Sequence, residues 1–485
     1  MPISFGTDGW RGVISDTFTF HNVRNVSQAI ADAVAADEWL NGAYSGPPPD
    51  ARRVVIGFDT RFLSDRFAVE AARVLAGNGI KVYLTSADVP TPCLSYAVRH
   101  LGAIAGIMIT ASHNAPRYNG VKLKAAYGGA AAREQCRRVE FYFSDNESRG
   151  RGPNLMDYGK AKESGLIERF NPTSGYHDHL RTLIDFDAIA ENPQHIAVDS
   201  MYGSGRGQIK GILQGTGCEV TEVRGEMNPG FGGIHPEPIA RYLGALAGSI
   251  AAGHGQLGLA TDGDADRIGA MDGRGEFVDP HRLMSLALKY LVEQRGWSGK
   301  IVKSVSTTQM LNRLGDKHGL EVIETPVGFD HIADCMLRED VLIGGEESGG
   351  ISFKGHIPEG DGILISLLIL EMVAATGSSL EDLVDDLLKD AGPSHYGRLD
   401  LRLTHPVPKK ELSARLIDGA PKEIGALKVE EVSNRDGVKF HMDDDSWLLI
   451  RPSGTEPLLR VYAEAREPEA LESLLEYGRE VAQAD

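Results

Sequence analysis

Cysteine is scarce and scattered. The four residues Cys93, Cys136, Cys218 and Cys335 make no Cys-x-x-Cys pair, which argues against a zinc site or a disulfide framework and makes a reducing cytoplasm the simplest location. Long apolar runs are missing as well. The longest, Ile363 to Val373, is interrupted by Glu371 and too short to cross a bilayer, so it reads as a core helix and no membrane partner is expected. The first residues show no basic stretch followed by an apolar one, so no secretory signal is expected. Positive charge is in deficit: a formal net charge of −18 leaves no basic face for nucleic acid or an anionic membrane surface. Small anions respond only to local charge and stay open as ligands. Low-complexity segments and short-period repeats are also lacking, and a 42% hydrophobic, 24% charged composition is that of an ordinary globular protein.

What is present exceeds one hydrophobic core. A chain of 485 residues suggests three or four domains, and 57 glycines imply many tight turns. Short β-branched runs alternate with stretches of helical spacing, the pattern of α/β units. Val54–Asp59 reads as a strand, followed by a helix with Phe67, Ala71, Val74 and Leu75 on one face and a stop at Gly77 and Gly79. His195–Asp199 and Lys300–Lys303 read as further strands, the latter before a helix carrying Met310, Leu311 and Leu314. Turn-rich or polar segments at Ser144–Asn154, Asp272–Asp279 and Ala391-Gly392-Pro393 suggest domains 1–150, 151–275, 276–390 and 391–485, the last of α+β type.

Four loops carry the chemistry. Ser112, in Thr110-Ala111-Ser112-His113-Asn114, follows the apolar run Ala103–Ile109, so its hydroxyl falls at the carboxyl end of a strand, where α/β clefts form. Lys122 follows closely as a cation for a phosphate or a proton shuttle. Read alone, this segment is better explained as a capping serine at a strand-to-helix turn. Asp262-Gly263-Asp264-Ala265-Asp266-Arg267 is more specific. Its carboxylates repel each other by about 4 kcal/mol per pair at about 4 Å and an effective dielectric of about 20, and a hard divalent cation such as magnesium, manganese or calcium is the natural compensation. An EF-hand is excluded, because its glycine position is Arg267 and its terminal glutamate position is Gly273. Gly344–Gly350 frames Glu346 and Ser348, a carboxylate and a hydroxyl suited to vicinal sugar hydroxyls. Arg451-Pro452-Ser453-Gly454-Thr455 collects a guanidinium, two hydroxyls and backbone donors suited to a phosphate monoester, with Arg460 on the next strand.

Each loop also has a bland reading as a turn, but all four would have to be bland together. Rival functions are weaker. Gly203-Ser204-Gly205-Arg206-Gly207 after Val198-Asp199 suggests a dinucleotide fingerprint, which fails because its third small residue is Gln208. An aspartyl phosphatase acting through Asp262–Asp266, or a noncatalytic metal- or sugar-binding protein, are the other readings.

From Gly6-Thr-Asp-Gly-Trp-Arg-Gly12 to Arg451-Pro-Ser-Gly-Thr455, with all four loops in family order, the chain closely resembles the α-D-phosphohexomutase family. The resemblance implies three similar α/β domains with mixed sheets plus a smaller α+β C-terminal domain around a central cleft. The first three domains would carry the phosphoserine, metal and sugar loops, and the last the phosphate anchor. It implies that Ser112 is the phosphoserine and that Asp262, Asp264, Asp266 and a Ser112 phosphate oxygen bind Mg2+. Lys122 then transfers protons, and His113 and Arg267 assist at the reacting phosphate. Glu346 and Ser348 read the sugar, while Arg451, Ser453, Gly454, Thr455 and Arg460 hold the phosphate that is not transferring. The reaction implied interconverts hexose 1-phosphate and hexose 6-phosphate through a 1,6-bisphosphate, with glucose 1,6-bisphosphate as activator and a small phosphosugar as the partner of a monomer or homodimer. Several bacterial phosphomannomutase-type and phosphoglucosamine members carry His where this chain has Gly350, which favours glucose. Phosphomannomutase, a dual-specificity enzyme and phosphoglucosamine mutase are the alternatives. Thr325–His331 resembles a second specificity loop, but Asp330 and His331 match no single sugar.

Overall fold

A computed structural model describes residues 3–6, 9–36, 39, 50–403, 408–452 and 458–483. The chain divides into two compact units, Met1–Leu283 with Gly328–Glu381 and Met284–Val327 with Asp382–Asp485.

In the first unit, a six-stranded sheet runs in the order Trp10–Val13, Tyr118–Ala125, Ala103–Ile109, Asp50–Phe58, Lys81–Thr85, Ile167–Phe170. Its first two pairings are antiparallel and its last three parallel. A five-stranded sheet repeats the plan in the order Phe277–Val278, Ile268–Met271, Leu257–Thr261, His195–Asp199, Glu219–Val223, again with two antiparallel pairings followed by two parallel ones. Strands Val341–Gly345 and Ile351–Phe353 form a third antiparallel pair. The sheets are therefore mixed, as the family resemblance implies, and the shared plan has a functional consequence. The Ser112 loop, the Asp262–Asp266 loop and the Glu346 loop each sit at the same place, the turn where an antiparallel strand folds back after a buried one.

Burial explains why these elements form. Ala103–Ile109 and Leu257–Thr261 are buried at every position, the signature of central strands. The helix Ser64–Gly77 buries Phe67, Ala71, Val74 and Leu75, the face its spacing predicts. Gly362–Thr376 is a core helix buried from Gly362 to Ala374. Glu371, which interrupts its apolar run, is buried and accepts the Asp185 N–H at 2.8 Å. Among the described residues no single helix is long and apolar enough to cross a membrane.

The structure departs from the sequence reading at two places. The polar stretch from Ser144 continues the helix Arg133–Ser148, whose Val139, Phe143 and Asn146 are buried. The turn at Ser112 leads into strand Tyr118–Ala125 rather than a helix, because Asn119–Lys122 alternate in register with Trp10–Val13 and Ala103–Ile109.

In the second unit, six antiparallel strands run in the order His395–Arg402, Leu458–Ala465, Trp447–Pro452, Val438–Met442, Leu427–Ser433, Glu423–Ile424. Helices Lys409–Asp418 and Pro468–Gln483 accompany them, the α+β pattern expected after Gly392. Lys300–Ser304 and Val322–Thr325 pair in parallel, with helix Met310–His318 between them in sequence.

Candidate active site

Ser112 is fully buried and left-handed, at φ 50°. That conformation is uncommon for a residue with a Cβ and needs outside support. The support comes from both sides of the peptide. The Ser112 N–H donates to Thr110 Oγ1 at 2.9 Å, and the Thr110 hydroxyl donates to Asp59 Oδ2 at 2.6 Å. The Ser112 carbonyl accepts from Arg61 Nη2 at 2.5 Å. Arg61 also donates to the carbonyls of Asn114, Ala115 and Tyr118, and its Nε lies 3.1 Å from Asp59 Oδ2. Burial pushes Asp59 up to about 6, even though Arg61, Thr110 and Ser64 favour its charge. One buried ion pair thus fixes the loop. It leaves the Ser112 hydroxyl to donate to Asp262 Oδ2 at 2.7 Å, with His113 Nδ1 at 3.3 Å.

The aspartate loop is buried too. Among the described residues, Asp262, Asp264 and Asp266 form a group whose ligand atoms all lie within 4.8 Å of one another. Lys122 reaches it from the strand beside Ser112, with Nζ 2.9 Å from Asp264 Oδ2 and 2.5 Å from Asp266 Oδ2. Burial and the neighbouring Asp266 and Asp264 charges push Asp262 well above the usual carboxylate range. Burial opposes the charge of Asp264 also, yet Lys122 and the Thr91 hydroxyl hold it below that range. Arg267 is held fully charged despite burial by Asp266 and Asp262. Three carboxyl groups face two cations, Lys122 and Arg267, and the buried Asp264 Oδ1 has no hydrogen-bond partner. An all-oxygen donor set with an orphaned oxygen fits a hard divalent cation.

The Glu346 loop is tied to the same place. Gly349 adopts φ 93°, and a Cβ there would lie 2.5 Å from the Ile268 carbonyl. The Gly349 carbonyl accepts the Ile268 N–H at 3.1 Å, just past the aspartate loop. Glu346 accepts the Gly328 N–H at 2.8 Å, and burial raises its carboxyl to about 7 against the pull of that N–H and of Arg267. Ser348 is half-buried in the same turn. The first unit therefore gathers Ser112, His113, Lys122, Asp262, Asp264, Asp266, Arg267 and Glu346.

The proposed anchor residues lie in the second unit. Ser453, Gly454 and Thr455 fall outside the described residues. Arg451 and Arg460 are direct cross-strand partners on adjacent strands, so two guanidinium groups share one face of the sheet. Arg451 Nε donates to Asp436 Oδ2 at 2.9 Å, while Arg460 Nε is buried without a hydrogen-bond partner. Paired arginines with donors to spare suit an anion.

Sequence reading missed Arg61, Asp59, Thr110 and Thr91, which position the chemistry without displaying it. The short Asp59-Thr-Arg61 run was the available signal. The Gly-rich turn at Gly203–Gly207 also finds its use. A Cβ at Gly203 would lie 2.7 Å from the carbonyls of Asp262 and Gly263, and Ser204 N–H donates to Gly263 O at 3.0 Å. These glycines seat the aspartate loop.

Comparison with known proteins covers nearly the whole chain. Profiles of the phosphoglucomutase/phosphomannomutase alpha/beta/alpha domains I, II and III match residues 2–150, 174–275 and 279–391, and that of the C-terminal domain matches 407–480. A "phosphoglucomutase/phosphomannomutase" of Thermococcus kodakarensis is 28% identical, over 98% of this chain and 97% of its own length. A "probable phosphoglucosamine mutase" of the same organism is 31% identical, over 97% and 96%. A solved structure from Thermus thermophilus, named a "putative phosphomannomutase", is 36% identical with a TM-score of 0.84, covering 100% of this chain and 99% of that one. The relatives agree on the fold and differ in the sugar they name.

Proposed function

The chain belongs to the α-D-phosphohexomutase family, and from that premise we propose that it interconverts hexose 1-phosphate and hexose 6-phosphate, glucose phosphate first among them, through a phosphorylated Ser112. The observation that carries this reading is the Ser112 hydroxyl, 2.7 Å from Asp262 in a loop clamped by Arg61. In the first half-reaction the phosphorus–Oγ bond of phosphoserine breaks and a bond to the free hydroxyl of the sugar phosphate forms. The hydroxyl proton ends on Ser112 Oγ, with Lys122 as its carrier. After the bisphosphate turns over, the second half-reaction runs this in reverse on the other phosphate. Glucose 1,6-bisphosphate acts as activator by restoring phosphoserine.

Asp262, Asp264 and Asp266, with a phosphate oxygen of phosphorylated Ser112, would hold Mg2+, which would supply charge neutralisation at the reacting phosphate. Arg267 and His113 add positive charge and a hydrogen bond beside the same atoms. Glu346 and Ser348 hold the sugar hydroxyls, and Arg451 and Arg460, with Ser453, Gly454 and Thr455, hold the phosphate at rest. Glucose is supported by Gly350, the position at which several phosphomannomutase-type and phosphoglucosamine members carry His; here it is buried, and a Cβ would sit in ordinary contact with the Phe329 ring at 3.5 Å.

Asp330 favours a second reading. Its carboxylate borders Gly328, whose N–H donates to Glu346, so two carboxyl groups bracket one backbone position and would welcome the ammonium of an amino sugar. Rates with glucose, mannose, glucosamine and N-acetylglucosamine 1-phosphates, each primed with its bisphosphate, decide between them. Glucose 1-phosphate is expected to lead. A higher kcat/KM for glucosamine 1-phosphate overturns the sugar and leaves the reaction class in place.

A further inference from the structure

We propose that Asp361 is a positioning residue for the aspartate loop, acting through the peptide of Gly362 on Ala265, the residue between Asp264 and Asp266. The inference rests on reading that loop as a divalent-cation site.

Ala265 adopts φ 58°, a left-handed conformation that a residue with a Cβ avoids unless its surroundings hold it. Two backbone hydrogen bonds do so. The Ala265 N–H donates to Asp262 O at 3.1 Å, closing the loop on itself. The Ala265 carbonyl accepts from Gly362 N–H at 3.0 Å, which ties the loop to the start of helix Gly362–Thr376. The contact is backbone on backbone. A Cβ at Gly360 would lie 2.8 Å from Asp266 O, and one at Gly362 would lie 2.2 Å from Arg267 O. The segment Gly360–Gly362 is therefore a template on which Ala265–Arg267 is laid.

Asp361 sits in the middle of that template and is fully buried, but its side-chain partners lie elsewhere. Oδ1 accepts the N–H groups of Ile363 and Leu364 at 2.9 Å each, capping the core helix. Oδ2 accepts the Tyr176 hydroxyl at 2.7 Å and lies 3.1 Å from His356 Nε2. Glu359, on the other side of Gly360, is held by Lys124 at 2.6 Å and by the Ser95 hydroxyl at 2.9 Å. Both acidic residues of Glu359-Gly360-Asp361-Gly362 thus anchor the template from behind, and the two glycines present it to the loop. If the template shifts, Ala265 loses its support and Asp264 and Asp266 no longer keep their spacing, although no ligand atom has changed.

The test uses Tyr176→Phe, which removes one hydrogen bond to Asp361 and keeps the ring, together with Asp361→Asn. Mn2+ affinity of the full chain is followed by electron paramagnetic resonance, beside melting temperature, KM and kcat. Partners behind metal ligands commonly set affinity by 10-fold or more, so a Kd raised about 5-fold is expected for Tyr176→Phe, and more for Asp361→Asn. The sugar phosphate KM should stay unchanged while kcat falls. An unchanged Mn2+ Kd in a folded Tyr176→Phe chain overturns the positioning role, even if the melting temperature drops. A parent chain that binds Mn2+ but shows no mutase turnover overturns the proposed reaction and leaves the positioning role standing.

Discussion

Replacing Asp262 by Asn is expected to have opposite effects on stability with and without a divalent cation. The ligand atoms of the three aspartates lie within 4.8 Å of one another, which at an effective dielectric of about 20 is a repulsion of about 3.5 kcal/mol per pair. Asp262 takes part in two such pairs, a gross cost of about 7 kcal/mol. Lys122 and Arg267 offset part of it, and the raised Asp262 carboxyl relieves more by taking up a proton. About 1–3 kcal/mol remains to be gained by a neutral residue of the same shape. The substituted amide keeps an oxygen for the Ser112 hydroxyl but turns its NH2 towards the Arg267 N–H, which donates to Asp262 Oδ1 at 3.2 Å, so the loss of that bond offsets part of the gain. In EDTA the variant should melt a few degrees above the parent. Mg2+ at about 100 times its Kd should stabilise the parent by about 2.7 kcal/mol, whereas the variant, lacking an anionic ligand, should gain much less. Scanning calorimetry of both chains, with EDTA and with MgCl2, reads the crossing directly. A variant less stable than the parent in EDTA, or an equal Mg2+ shift in both, would refute the electrostatic argument.

Arg61→Lys keeps the buried charge beside Asp59 but cannot span the carbonyls of Ser112, Asn114, Ala115 and Tyr118. Mutase kcat should fall by about 10-fold or more, since a loop misplaced by about 1 Å can cost 100-fold, with KM little changed; steady-state kinetics showing a KM effect alone would contradict it. Lys303 carries the pH prediction. Burial, reinforced by Lys439, lowers its amine from the ordinary 10.5 to about 7. Between those values the unfolded chain holds a proton that the folded chain has released, so this group makes stability rise with pH by about 1.4 kcal/mol per unit. Lys303→Met should therefore melt above the parent near pH 7, and its lead should shrink towards pH 9. Parallel melting profiles would show that Lys303 carries no such shift.

The sequence displayed the atoms that do chemistry more readily than the atoms that hold them. Asp262, Asp264 and Asp266 were legible because alternating carboxylates beside an apolar strand are costly without a cation. Ser112 and Lys122 were legible through that company. Arg61 was not, because its role lies in carbonyls more than 50 positions away, for instance that of Ser112. Thr91 meets Asp264 across a separation of 173, and nothing local in a helix-starting threonine announces it. Asp361 reads as an ordinary helix cap until the carbonyl of Ala265 is seen against Gly362. The strands read at Val54–Asp59, Ala103–Ile109 and His195–Asp199 were clear because short apolar, β-branched runs bounded by turn residues have few alternatives. The return strand Tyr118–Ala125 was hidden by Asn119, Lys122 and Lys124, polar residues buried by partners in other segments. The resemblance of the first two sheets lies in the order and direction of their strands, which a search for short repeats does not register.

Every step of the proposed reaction depends on Ser112 as the phosphoryl carrier. Turnover of glucose 1-phosphate by Ser112→Ala, primed with glucose 1,6-bisphosphate and compared with the parent chain, tests this most directly. Loss of a covalent carrier together with its activation predicts a fall of at least about 10⁴-fold in kcat, with the variant still folded and still binding Mn2+. Near-normal turnover by Ser112→Ala would contradict that role.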